Sequence, residues 1–201
     1  VISKNFQDKL DKQGRSQILR TALLTNQGLV DSMIVDANTT LSIQTRHFPA
    51  KALIVAIDQA HARDLAGRVK RLTGHQPFLA ISENVKTSDE LDKFASDTSI
   101  QYAITCKKIS EGFDCKLLSV LIYATNIKQR LFYEQTIGRV IRMLKHINTQ
   151  SQTATVFQPA DPVLTLYATN YEKQKDIFLS ISSTFVFESF TSLNFSFHKP
   201  E

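Results

Sequence analysis

The sequence predicts an α/β protein: a mostly parallel β-sheet flanked by helices and preceded by a helical lead-in. Three observations predict it. From residue 51 onward, short apolar runs of strand length alternate with amphipathic stretches of helical period. The runs are mainly apolar rather than strictly alternating, as strands covered by helices on both faces tend to be. Before residue 49 the apolar positions keep helical spacing, with no convincing strand.

In chain order, Ile18, Leu19, Ala22 and Leu23 predict a helix between Ser16 as N-cap and Gly28 as C-cap. Val30, Met33, Ile34, Ala37 and Leu41 predict a second, which Pro49 stops by Phe48. Residues 52–57 form the first predicted strand, and Asp58 caps a helix whose buried stripe is Ala62, Leu65, Ala66, Val69 and Leu72 and which ends at Gly74. Strands follow at 78–81, 100–106 and 120–124, with a helix at 88–95 before the second of these. The most strongly patterned helix is predicted over 129–144, and the last strand of the unit, 153–157, is closed by Pro159 and Pro162. A further helix is predicted over 163–181 through Val163, Leu166, Tyr167 and Tyr171 and out to Phe178. The Phe- and Ser-rich end is β-prone and predicts a strand or a partner-covered tail. The chain thus divides into a lead-in (1–48), a core domain (49–162) and a C-terminal helix and tail (163–201).

With 201 residues, 42% of them hydrophobic, the chain supports one α/β domain and is too short for two full ones. A net charge of +5 makes an anionic partner plausible, nucleotide and nucleic acid alike. Cys106 and Cys115 form no CxxC pair and no Cys/His metal set, which predicts reduced thiols in a cytoplasmic protein without a metal site. No stretch has the length or apolarity of a membrane span, and the N-terminus lacks an export signal's layout. The absence of G-x-G-x-x-G and G-x-S-x-G argues against a dinucleotide oxidoreductase and a hydrolase elbow. His61, His75 and His146 are not spaced as a metal set and read as surface residues. The Arg63, Arg68, Lys70 and Arg71 run reads as a solvated face before a DNA track.

Two segments carry candidate chemistry. On a helix, Gln135, Arg139 and Arg142 of YEQTIGRVIRML share one face, because i, i+4 and i+7 fall within about 60° of one another. Tyr133, Ile137, Val140, Ile141 and Leu144 take the opposite side, and Gly138 leaves room for a close approach. That stripe fits a phosphate clamp or a solvated basic face. SEGFDC, residues 110–115, lies where open α/β sheets bind ligands, at the end of a parallel strand. It fits a ligand loop, with Asp114 accepting from a ribose hydroxyl or pairing with an arginine, or a structural turn.

Order and spacing of these segments resemble the second, C-terminal RecA-like lobe of superfamily 2 DNA helicases and translocases. The resemblance rests on KALIVAIDQAHARDLAGRV, then ISEGFD, then LIYATN, then Q-x-x-G-R-x-x-R supplied by Gln135, Gly138, Arg139 and Arg142. It covers about residues 50–158 and is nearest to the branch of restriction-enzyme motor subunits and repair helicases. It implies a RecA-like fold, with Arg139 and Arg142 as arginine fingers reaching the γ-phosphate of ATP across an interlobe cleft. It implies that Gln135 senses nucleotide, and that Gly112 and Asp114 link the cleft to the nucleic-acid track. Thr105, Cys106, Lys107 and Lys108 fall where the family contacts the phosphodiester backbone. Here Cys106 and Lys107 replace the family's usual small-hydroxyl and acidic pair, and a lysine suits phosphate.

No glycine opens a G-x-x-x-x-G-K-[ST] loop and no strand precedes a DExx box; Asp89 and Glu90 sit at a helix start, where carboxylates favour the macrodipole. The expectation is half an ATP site, inactive alone. The other half, with most of the contacts to ATP and Mg²⁺, is expected from an upstream RecA-like lobe carrying Walker A and DExx motifs, and the nucleic-acid partner is DNA, with RNA allowed. The alternative is a non-catalytic RecA-like module that binds nucleic acid or regulates.

Overall fold

The computed structural model describes residues 12–81, 88–106, 115–141, 153–174, 178–180 and 190–196. Two helices lead, α1 (Lys12–Thr25) and α2 (Gln27–Gln44). Neither predicted cap of the first helix is used. Ser16 lies inside α1, and the break comes at Asn26, whose side chain accepts from the Leu29 amide at 3.2 Å and so caps α2. Gly28 is therefore in the first turn of α2. Leu19 and Leu23 of α1, with Val30, Met33, Ile34, Ala37 and Leu41 of α2, are all buried in one core with the strands.

The core continues with β1 (Lys51–Ala56), α3 (Gln59–Thr73), β2 (Phe78–Ala80), α4 (Ser88–Ser96), β3 (Tyr102–Cys106), β4 (Leu118–Ala124), α5 (Arg130–Val140), β5 (Thr153–Pro159), α6 (Pro162–Gln174), β6 (Phe178–Ser180) and β7 (Phe190–Ser196). The sheet order is β2-β3-β1-β4-β5-β7-β6. The first five strands in that order are parallel, and β7 runs antiparallel to both β5 and β6. The result is an α/β protein with a mostly parallel, RecA-like sheet flanked by helices. Every residue of β1 and β4 is buried, including the polar Lys51 and Ser119 beside their apolar runs. Asp58 caps α3 by accepting from His61 N at 3.0 Å. Gly74 ends it with φ 78°, a left-handed conformation that costs glycine nothing.

Three predictions need correction. The helix expected over 163–181 is described as α6 over Pro162–Gln174, and Phe178, assigned to it, lies in strand β6. Its stripe is one residue off: Leu164 and Ala168 are buried, whereas Leu166 is exposed. The third concerns α3, where Arg63, Lys70 and Arg71 are exposed but Arg68 is buried, paired to Asp31 of α2 at 2.7 Å. A cation on that face thus ties the lead-in to the domain.

Candidate functional site

Because β3, β1 and β4 are parallel and in register through Cys106, Ala56 and Ala124, their carboxyl ends form one row. The chain leaves β1 through α3 toward β2 on one side, and leaves β4 through α5 toward β5 on the other. Between β1 and β4 the order reverses, and open α/β sheets bind ligands at such switch points. Helix α1 reaches both strand ends here. Its Arg20 donates to Asp58 at 3.0 Å beyond β1, and its Ser16 hydroxyl accepts from Asn126 at 3.4 Å beyond β4. The backbone amide of His61, with the Arg20 guanidinium beside it, holds the Asp58 carboxyl below its usual range.

His61 is not at the surface, contrary to the prediction for it. Only 3% of it is exposed, because its Nδ1 accepts from the Ile57 amide at 3.2 Å and folds the ring against the strand–helix turn. Its Nε2, and Oγ1 of the fully buried Thr125, have no hydrogen-bond partner among the described residues. Burial pushes the His61 imidazole below its usual 6.5. The unfolded chain therefore takes up a proton that the native chain resists, and stability is expected to fall as pH drops below about 6.5. Urea midpoints at pH 7.5 and 5.5 check this. A His61→Gln variant should narrow the gap between them, and an equal gap would contradict the assignment.

Helix α5 carries the predicted phosphate stripe. Tyr133, Thr136, Ile137 and Val140 are buried, the helix packs on β4, β5 and α6, and Gln135 faces solvent. Arg139 is half-buried, and partial loss of water pushes its guanidinium down from the ordinary value. The helix does not run to Leu144 as predicted. Ile141 leaves helical geometry at φ −88° and ψ 71°, one residue after α5 ends at Val140. Arg142, Gly112, Asp114, Lys107 and Lys108 lie outside the described residues. Of the predicted backbone-contacting run, Thr105 is buried inside β3 and Cys106, which is in no disulfide, is partly exposed at its end.

A guanidinium and an amide four residues apart on one helix face suit phosphate oxygens, being donors in a fixed spacing. Among the described residues nothing lies within 4 Å of where a Cβ on Gly138 would sit, so the backbone beside Arg139 leaves room for a ligand. Among the described residues no three His, Cys, Asp or Glu side chains are grouped to hold a metal. Gly138→Ala should therefore stabilise the isolated chain by about 0.5–1 kcal/mol, through the helix entropy that glycine loses. Urea unfolding measures it, and a destabilised variant would show that the space is not open.

The fold and this edge define an α/β protein with a mostly parallel sheet and an arginine-bearing helix after its fourth strand. No family model matches the chain. An uncharacterized protein of Mycobacterium leprae (strain TN) is 34% identical over 170 residues, covering 84% of this chain and 28% of that protein. An uncharacterized protein of Mycobacterium tuberculosis (strain ATCC 25618 / H37Rv) is 31% identical over 170 residues, covering 84% and 27%. The chain thus spans little more than a quarter of these relatives. No described helix is long and apolar enough to cross a membrane.

Proposed function

We propose that this chain is the C-terminal motor lobe of an ATP-dependent DNA helicase or translocase, completed by a first RecA-like lobe. The observation that carries the reading is α5: its core-facing side is buried while Gln135 and Arg139 of the Q-x-x-G-R pattern occupy the other side, beside an uncrowded Gly138. In the proposed cycle ATP and its Mg²⁺, held mainly by the first lobe, supply the phosphoryl group and neutralise its oxygens. Arg139 then approaches as the cleft closes and donates to charge developing on the γ-phosphate. Gln135 reports nucleotide to the strand-binding edge, where the RecA-like sheet presents the ends of β1, β3 and β4. The run that continues β3 would carry the phosphodiester contacts, for DNA or RNA.

The test is ATP hydrolysis by this chain combined with the first lobe, in cis or in trans, with and without single-stranded DNA. Stimulation by DNA is expected, together with no turnover by this chain alone. Gly138→Ala should lower turnover while raising stability, because a methyl would occupy the space the first lobe's nucleotide must enter. Absence of turnover in the assembled protein, with nucleic-acid binding intact, would favour the non-catalytic RecA-like module instead.

A further inference from the structure

The turn that launches α5 is held by side chains from other elements rather than by its own sequence. Gln129, at the N-cap position, makes no side-chain cap bond. Instead Tyr123 of β4 donates from its hydroxyl to the Ile127 carbonyl at 2.7 Å, and Tyr167 of α6 donates to the Lys128 carbonyl at 3.1 Å. The Lys128 ammonium donates to Oδ2 of Asp161. Asp161 is fully buried, and its Oδ1 accepts from the amides of Val163 and Leu164, fixing it to the start of α6. One turn into α5, the Tyr133 hydroxyl donates to Oε1 of Gln158 at 2.5 Å. The rings of Tyr123, Tyr133 and Tyr167 complete the cluster, with centroids 5.2 Å apart for the first pair and 5.7 Å for the second.

We infer that Lys128 and Asp161 are positioning residues: their ion pair locks α5 to the β5–α6 junction and thereby aims Gln135 and Arg139. This rests on the function proposed above. Arg139 lies eleven residues beyond Lys128, about 16 Å along a helix, so a tilt of about 10° at the turn displaces it by about 3 Å. Misplacement on that scale is enough to cost a positioned group about a hundredfold in rate. The two partners differ in sequence position by 33 residues, so the pair joins the start of the helix to a segment that follows β5 in the sequence.

The experiment uses the chain assembled with its first lobe and measures kcat and KM for ATP in the presence of single-stranded DNA. Lys128→Met strips the cation, and Asp161→Asn keeps an acceptor for the α6 amides while removing the charge. Each is expected to lower kcat about tenfold or more with KM for ATP within about twofold, and Lys128→Arg to restore at least half of kcat. Either of two results overturns the inference: kcat within twofold of wild type in both variants, or a loss of kcat that tracks loss of folded protein and that Lys128→Arg does not relieve. If the wild-type assembly shows no turnover, the proposed function is what fails. Amide hydrogen exchange of this chain then decides the cluster separately. Lys128→Met and Asp161→Asn should speed exchange over 130–141 about tenfold while 51–57 stays protected, and an unchanged α5 overturns the inference.

Discussion

If the chain is the motor lobe proposed above, replacing Arg139 by alanine is expected to lower DNA-stimulated ATP turnover of the assembled protein about a thousandfold, while the chain remains folded. An arginine placed on the charge developing in phosphoryl transfer contributes about 10³ to 10⁵ in rate, and a thousandfold is about 4 kcal/mol of barrier. The position warrants that expectation because Arg139 is half-buried, so part of its hydration is already gone. A cation in such a place acts through a lower effective dielectric than one in open water. The opposite face of α5 keeps Tyr133, Ile137 and Val140 in the core, so the helix survives the change, and alanine is the better helix former. The unfolding free energy should therefore change by about 1 kcal/mol or less. Arg139→Lys should recover only part of the rate, since an ammonium keeps the charge and loses the planar fork. Single-turnover hydrolysis with DNA present measures both rates, and urea unfolding measures the stability. An alanine variant within tenfold of wild type would remove Arg139 from the reaction.

Lys51→Met is expected to produce the largest loss of stability of any single substitution considered. Lys51 is only 1% exposed, and its ammonium spends all three protons on carbonyls, at 2.6 Å to Phe94, 2.6 Å to Asp97 and 2.8 Å to Ile100. It also sits 4.4 Å from the centre of the Phe94 ring. One cation thus joins the start of β1 to the end of α4 and to the turn entering β3. Hydrogen bonds to charged groups are worth about 1.5–3 kcal/mol each, and the burial of the ammonium offsets part of the total. Desolvation pushes Lys51 below its usual value, the sign of that offset. We expect a net loss of about 3 kcal/mol, near 10 °C in Tm for a chain of this size. Thermal unfolding checks it. A loss below about 0.5 kcal/mol, the range of ordinary surface substitutions, would mean that the three carbonyls find other donors.

The sheet and its helices were legible because each depends on a local period. The apolar runs of β1 and β4, the stripes of α2 and α3, and the cap chemistry of Asp58 and Gly74 are short-range signals, and all of them hold in the fold. The stripe on α5 was legible in the same way as far as Val140 and failed at Ile141, where the backbone turns out of the helix. Periodicity carries no warning of such a stop when neither Gly nor Pro marks it. Lys51, His61 and Arg68 were read as ordinary polar positions or left unremarked, yet all three are buried. Each is kept there by partners in other elements: carbonyls of α4 and the turn after it, the strand end before α3, and Asp31 of α2.

From its order of residues alone this protein specifies the alternation of strands and helices and the helix face on which Gln135 and Arg139 stand, since backbone geometry repeats every two or 3.6 residues and neighbours suffice to set it. Which charged side chains go inside, where α1 settles against the strand ends, and how α5 is aimed were resolved by the packed chain. Those outcomes depend on atoms from segments far apart in sequence meeting at hydrogen-bond distance, and a buried charge is tolerable only once such partners have converged.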